Sequence, residues 1–271
     1  MAVTIKYVKR ALLIGINYEG TNYELLGCID DSRNLQDFLI AQHYFKSDEI
    51  IMMNDNQSDE LYPTKANIIH QLADVKTFAD AHKAADEKVL LFFSYSGHGT
   101  QIRDLNGDES DGKAECLCPV DCDSNGYLVD DDLKIMTDQL AANVTSVVLI
   151  DACHSGTVLN LHYDYRCDMF NGCALEKQTD TECVIVMISG CRDNQTSADA
   201  YEPDQVTKKM EYQGAMTASF LANYNATLGL RSLIDNMRHW LKKNKFSQVP
   251  QLSSGRKLDT KQPLVLASYN V

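Results

Sequence analysis

The sequence predicts an α/β protein with a mostly parallel β-sheet that is covered by helices on both faces. Short apolar runs, which indicate strands, alternate along the chain with longer segments whose apolar residues recur at helical spacing. The runs at residues 89–95 and 146–150 are apolar at nearly every position, as is typical of parallel strands buried on both faces. The 271 residues suffice for one large domain or two small ones with a substantial core.

The first half of the chain supplies three predicted strands and two predicted helices. The strands are expected at residues 11–18, 49–53 and 89–95. The first helix is capped by Asp30 or Asp31, and the second is opened by Pro63-Thr64. Residues 100–127 are polar, acidic and rich in Gly and Asp, so they are expected to form a long functional loop with little regular structure.

The second half continues the alternation of helices and strands. Helices are predicted at residues 130–140, 214–224 and 230–243. Strands are predicted at residues 146–150 and 183–189, with a short edge strand at 263–267. Residues 160–182 and 247–256 show no clear periodicity and are expected to be loops.

The charge balance argues against nucleic acid and membranes as partners. With 25 basic and 38 acidic residues the net charge is −13, which repels phosphate and favours basic peptides or metal ions. No apolar run approaches the roughly 18 residues of a membrane span. The first residues lack the apolar region of a signal peptide, so a cytoplasmic location is expected, with the nucleus as an alternative.

Nine cysteines in a chain without a secretory signal are expected to be reduced thiols. Cys116, Cys118 and Cys122 lie close enough in sequence to suggest a soft-metal site. Their spacing is not a standard zinc spacing and no histidine lies nearby, so a metal cluster is not expected there.

A histidine and a cysteine each follow one of the apolar runs. His98 comes after the strand at residues 89–95, and Cys153 after the strand at 146–150. The carboxyl ends of parallel strands share one edge of a sheet, so the imidazole can promote ionisation of the thiol. Backbone N–H groups of Gly99 and Cys153 can form an oxyanion hole. The alternatives are an inert buried Cys153, or the adjacent His154 as base.

These residues lie in motifs that resemble those of metacaspases, which are caspase-like cysteine peptidases. The histidine motif is YSGHG at residues 95–99, and the cysteine motif is DACHSG at residues 151–156. Further similar motifs occur in family order: GINY (15–18), LLGCIDD (25–31), GDESDG (107–112), PVD (119–121), VDDDL (129–133), SGCRDNQTSADA (189–200), GAMT (214–217) and PQLSSGR (250–256). The resemblance covers nearly the whole chain and implies a caspase-like fold.

The resemblance implies a cysteine endopeptidase that cleaves peptide bonds after Arg or Lys. Asp31 and Asp151 correspond to the family's acidic S1 residues, with Cys28 and Ser96 at its other S1 positions. Two carboxylates in one pocket can hold a guanidinium through bidentate, charge-assisted hydrogen bonds. Alternatively, Asp31 is only a helix cap and Asp151 only a hydrogen-bonding residue at a strand end. No residue that orients His98 is evident in the sequence.

The resemblance also implies a layout for one peptidase domain over residues 1–271. A large-subunit-like region spans about residues 8–163 and a small-subunit-like region spans 182–271, separated by a connector at 164–181. The short connector resembles type I metacaspases, and no N-terminal prodomain is expected. Members are mostly monomeric, so a monomer is expected. Arg166 and Lys177 in the connector are candidate self-cleavage sites.

Metacaspases commonly need calcium, which four aspartates bind. Two of these positions are Asp130 and Asp131 here, whereas the other two are Ala114 and Asn160. Calcium takes about 6–8 oxygen ligands and favours carboxylates, so little or no calcium dependence is expected. A neighbouring acid such as Asp111 or Glu115 could compensate.

Two other functions stay open at this point. Residues 121–132 fit the EF-hand loop pattern, although Pro119 argues against an entering helix, so a calcium-binding regulatory module is one alternative. A catalytically silent caspase-like scaffold is the other.

Overall fold

The structure is a computed structural model that describes residues 6–42, 44–84, 86–103, 112–137, 140–153, 155–156, 158–165, 172–174, 179–190, 199–203, 210–264 and 266. Within these ranges the strands are β1 Lys6–Gly15, β2 Ile50–Asn54, β3 Glu87–Ser96, β4 Gly99–Arg103, β5 Lys113–Leu117, β6 Val144–Asp151, β7 Tyr163–Asp164, β8 Cys173–Ala174, β9 Val184–Ser189, β10 Asp199–Pro203, β11 Met210–Gly214 and β12 Gln251–Ser254. The helices are α1 Cys28–Ala41, α2 Lys65–Ala81, α3 Cys122–Asn125, α4 Asp130–Leu133, α5 Ala215–Asn223 and α6 Leu230–Lys243.

Eight of these strands form one sheet in the order β2-β1-β3-β6-β9-β12-β7-β8. The pairs from β2 to β9 are parallel, whereas β12 runs antiparallel to β9 and to β7. The predicted fold class, a mostly parallel sheet in an α/β protein, is therefore confirmed.

The strands bury alternate side chains on opposite faces of this sheet. In β1, Leu12 and Ile14 pack in a core that also contains apolar residues of α2. Leu13 points into a second core with apolar residues of α1, α5 and α6. Because both faces are covered, the strands are apolar throughout, which is the pattern seen in the sequence.

The register of β3 and β6 sets the position of the residues that follow them. Ser96 at the end of β3 pairs with Asp151 at the end of β6. His98 and Cys153 each lie two residues beyond this pair, and therefore emerge at the same edge of the sheet.

Several segments that the sequence indicates as loops contain strands. Residues 99–117 contain the hairpin of β4 and β5, and the predicted loop at residues 160–182 contains the two-residue strands β7 and β8. Strand β12 lies within the polar stretch 247–256, and all four of its residues are buried. Short polar strands lack an apolar alternation, so periodicity does not reveal them.

Two other predicted elements are also shorter than expected. The helix predicted at residues 130–140 stops after Leu133 and continues only as a short 3₁₀ turn, Lys134–Met136. In the described part of residues 263–267, Pro263 forms only an isolated bridge to Gly229 rather than an edge strand.

The start of α1 differs from the prediction in a way that affects the site. The helix begins at Cys28, and the Asn17 side-chain oxygen accepts hydrogen bonds from the backbone N–H groups of Cys28 (3.0 Å) and Ile29 (3.1 Å). Neither Asp30 nor Asp31 caps it, so that interpretation is wrong. Because Asn17 satisfies these donors, the Asp31 carboxylate does not cap the helix and can accept hydrogen bonds inside the protein.

Six of the cysteines within the described ranges are reduced thiols outside any disulfide, but Cys173 is disulfide-bonded. The expectation of reduced thiols is therefore wrong at Cys173. Burial raises the pKa of the Cys116 thiol to about 11 and also raises that of Cys118, so both stay protonated at neutral pH. Protonated thiols are poor metal ligands.

None of the helices in the described ranges is both long and apolar enough to cross a membrane.

Candidate active site

A cavity of about 100 Å³ opens at the carboxyl ends of β3 and β6. Its walls include the two residues from the strand tips, His98 and Cys153. The remaining lining residues are Leu25, Cys28, Ser96, Gly97, Asp151 and Gly214. The fold thus brings together the histidine, the cysteine and three of the four residues expected to form an S1 pocket; the fourth, Asp31, lies directly behind the wall.

Two tyrosines of the loop after β1 hold the His98 ring. Its Nε2 lies 2.7 Å from the backbone carbonyl oxygen of Tyr23, and the ring packs on Tyr18 with centroids 4.8 Å apart. A carbonyl only accepts, so Nε2 carries the hydrogen, and in the neutral ring Nδ1 is the basic nitrogen. The sequence does not reveal this orienting group because it is a main-chain oxygen, which any residue supplies.

Buried tyrosine hydroxyls fix the backbone of the His98 turn. The backbone N–H of His98 donates to the Tyr18 hydroxyl (2.9 Å), and the Tyr95 hydroxyl lies 3.1 Å from the His98 carbonyl. Both hydroxyls also donate to the carbonyl of Cys118, at 2.6 and 2.7 Å. Burial raises the pKa of both tyrosines well above 10, so they remain neutral hydrogen-bonding groups.

Gly99 brings the two strand tips into contact. A Cβ at this position would lie 2.0 Å from the carbonyl oxygen of Cys153 and 3.2 Å from the Ala152 side chain. Only glycine permits this approach, and the approach places the His98 turn directly against the backbone of Cys153.

The two aspartates meet beside this pair. Asp31 is fully buried and accepts hydrogen bonds from the Ser96 hydroxyl and from the Gly214 N–H, the latter at 2.8 Å. Asp151 accepts from the backbone N–H of Thr217 at 2.9 Å. The structure therefore gathers carboxylates from α1 and β6 around one end of β11.

Gly214 lies against both carboxylates. The sequence does not indicate it as a site residue, although it begins the GAMT motif. A Cβ there would lie 2.2 Å from Asp151 Oδ2 and 2.5 Å from Asp31 Oδ2. The two oxygens are therefore close to one point in space. The absence of a side chain at Gly214 leaves the approach to both of them open.

Residues 9–162 match the protein family described as metacaspase, peptidase C14 domain. This chain belongs to the metacaspase family. The family's members are cysteine-type peptidases, and the match covers the strands that carry both His98 and Cys153.

Curated metacaspases resemble the chain over most of its length. Metacaspase-1 of Eremothecium gossypii is 36% identical over 95% of this chain and 66% of its own length. Metacaspase-1 of Saccharomyces cerevisiae strain S288c is 34% identical, over 95% of this chain and 69% of its own length. The chain thus spans about two thirds of these metacaspases.

Solved structures support the same fold. A structural genomics target from Geobacter sulfurreducens superposes with a TM-score of 0.59 at 25% identity, covering 95% of this chain and 99% of its own. Caspase-1 from Spodoptera frugiperda superposes with a TM-score of 0.55 at 11% identity, covering 97% and 93% of the two chains. At that identity the second likeness shows the caspase-like fold alone.

Among the described residues, the positions that the resemblance assigns to calcium do not form a carboxylate cluster. Asp130 and Asp131 lie in α4, and the Lys134 ammonium contacts both, at 3.8 Å from Asp130 Oδ2. Ala114 offers no side-chain oxygen, and Asn160 offers only an amide. A lysine ammonium on the two remaining carboxylates does not fit a hard divalent cation that requires several anionic oxygens.

The EF-hand interpretation of residues 121–132 is wrong. An EF-hand loop follows a helix, whereas strand β5 precedes this segment, and residues 122–125 themselves form the short helix α3. Both oxygens of Asp121 already accept hydrogen bonds, from Lys65 N and from Asn125 Nδ2, each at 2.8 Å.

Glu115, the possible compensating acid, accepts a hydrogen bond from Gln101 at 3.0 Å. Asp111, the alternative base His154, and the candidate cleavage sites Arg166 and Lys177 lie outside the described residues.

Proposed function

We propose that this chain is a cysteine endopeptidase that cleaves peptide bonds after Arg or Lys. The observation that carries the proposal is a pair of carboxylates beside the cavity that Cys153 and His98 line: Asp151 lines this cavity too, and Asp31 lies directly behind its wall. A buried acidic pair beside a cysteine and histidine suits a cationic side chain next to the bond that is cleaved.

The pocket recognises the substrate by charge and by hydrogen-bond geometry. Removing two carboxylates from water is costly unless a cation pairs with them. A guanidinium presents a planar set of donors that can reach both acids, whereas an ammonium acts as a compact point charge. We therefore expect Arg to be favoured over Lys, and Asp or Glu to be rejected.

The chemistry is acyl transfer at Cys153. Nδ1 of His98 takes the thiol proton, and the thiolate attacks the substrate carbonyl carbon. Backbone N–H groups of Gly99 and Cys153 stabilise the oxyanion that forms. His98 then protonates the leaving amine as the C–N bond breaks, and it later activates the water that releases the acid product and regenerates the thiol.

Reporter peptides that differ only in the residue before the scissile bond test this function. We expect cleavage after Arg and Lys, with Arg the faster, and none above background after Asp. Cleavage after Asp but not after Arg contradicts the assignment of the pocket.

We also propose that the chain acts as a monomer. Strand β12 pairs with β9 on one side and with β7 on the other, and β8 follows β7. A neighbouring copy therefore finds no open edge on β12, and the sheet ends on that side in β8, whose two residues offer little edge for association.

The proposed activity requires little or no calcium. Lys134 supplies a positive charge beside Asp130 and Asp131, where metacaspases commonly bind calcium. We expect the rate of Arg-peptide hydrolysis to change less than about twofold between excess chelator and millimolar calcium, because two of the four carboxylates are missing. A tenfold rise with calcium, abolished by chelator, contradicts this prediction. Magnesium at equal ionic strength is the control for non-specific screening.

A further inference from the structure

A second cavity, of about 250 Å³, lies next to the first and is separated from it by His98. Among the described residues that line them, the two cavities share only His98. The walls of this second cavity include Tyr23, Asp123 and Tyr127, together with the start of β4.

The second cavity lies where the proposed reaction would place the residue that follows the scissile bond. The side chain before the scissile bond occupies the pocket of Asp31 and Asp151, and His98 protonates the amine that leaves. The leaving amine is therefore nearest His98, and the residue to which it belongs continues beyond the imidazole. The second cavity lies across His98 from the first, and Gly99 and Thr100 line it.

The lining residues give this cavity a negative and aromatic character. The Tyr23 hydroxyl donates to Asp123, and this hydrogen bond raises the pKa of Tyr23. Burial raises the pKa of Tyr127, so both phenols stay neutral and Asp123 brings a negative charge. Tyr23 is 42% exposed, so its ring can contact an arriving peptide.

We propose that this cavity is the subsite for the residue that follows the scissile bond, and that Asp123 makes it favour Lys or Arg over acidic residues. The inference rests on the proposed peptidase function. A carboxylate accepts more than one hydrogen bond, so Asp123 can bind a substrate ammonium while it holds the Tyr23 hydroxyl. The two phenol rings offer faces that attract cations.

Internally quenched peptides with Arg before the scissile bond, and Lys, Leu or Glu after it, test the subsite. Mass spectrometry identifies the bond that is cut, since a Lys in the substrate offers a second cleavage point. Because Asp123 is exposed, its effect is screened, and we expect wild type to cleave the Lys peptide about fivefold faster than the Glu peptide, with Leu between them.

Asp123→Asn is expected to reduce that Lys-to-Glu ratio at least threefold. The ratio cancels any general loss of activity that arises because Tyr23 also orients His98. Asp235→Asn is the matched control, since Asp235 is an exposed acid on α6 that pairs with Arg231. It should leave the ratio unchanged, so that the effect is assigned to Asp123 rather than to net charge.

Two results overturn the subsite. One is a Lys-to-Glu ratio that Asp123→Asn does not change. The other is an effect of Asp123→Asn that appears only in a second peptide series, in which the residue before Arg is varied and the residue after the scissile bond is kept constant. If none of the Arg peptides is cleaved, the proposed function itself fails, and this outcome is distinct from cleavage that ignores the following residue.

Discussion

Replacing Cys153 with alanine is expected to lower kcat/KM for an Arg reporter peptide by at least about 10⁴-fold, as loss of the nucleophile does in other acyl-transfer enzymes. Cys153 lines the cavity with His98, and Gly99 packs against its backbone. Alanine removes the sulfur and leaves the backbone N–H groups in place. Active-site titration with a thiol-reactive peptide inhibitor should therefore label wild type and not the variant.

Cys183→Ala is the matched control for this prediction. Cys183 is a buried, reduced thiol just before β9 that donates to the Thr137 carbonyl at 3.5 Å, and it does not line the cavity. Its replacement should leave kcat/KM within about threefold, at a cost of roughly 1 kcal/mol in the free energy of unfolding. Retention of more than a hundredth of wild-type activity in a folded Cys153→Ala protein contradicts the assignment of the nucleophile.

Asp151→Asn is expected to reduce kcat/KM for Arg peptides by roughly 30- to 1,000-fold, which corresponds to about 2–4 kcal/mol for a buried, charge-assisted pair. The amide oxygen can still accept the hydrogen bond from Thr217 N–H, so the backbone around α5 should be retained. The change removes the negative charge that faces the guanidinium. We expect the loss to be larger for Arg than for Lys, because bidentate geometry is lost together with charge.

Steady-state kinetics over a range of peptide concentrations, together with a thermal melt, check this result. Asp74→Asn is the control, because Asp74 is an exposed acid on α2 that pairs only weakly with His70. An Asp151→Asn protein that hydrolyses Arg peptides within threefold of wild type would falsify the carboxylate pocket. An equal loss in both variants points to net charge rather than to a specific contact.

The parts of the site that the sequence could predict are those carried by strand ends. Apolar runs placed β3 and β6 in a parallel sheet, so His98 and Cys153 were expected at one edge, and the structure places both in one cavity. The same reasoning could not find β12, because Gln251 and its neighbours form a polar strand that is buried by the surrounding layers. Burial of this kind depends on partners that are distant in sequence.

The orientation of the site also lay beyond the sequence. The Tyr23 carbonyl that contacts His98 is a main-chain atom, so side-chain identity does not indicate it. The role of Asp31 was ambiguous because an acid near a helix start is ordinarily a cap. The structure shows that Asn17 supplies the cap, and that Asp31 instead accepts hydrogen bonds from Ser96 and Gly214 behind the cavity wall.

The sequence by itself determined the fold class and the two strands that deliver the thiol and the imidazole, because hydrophobic periodicity and strand-end chemistry are local properties. Only the tertiary structure decided which acids lie close together. Asp31 and Gly214 are 183 residues apart and are joined by one hydrogen bond of 2.8 Å. Such a contact exists only after the sheet, α1 and β11 have packed together, and no local pattern along the chain encodes it.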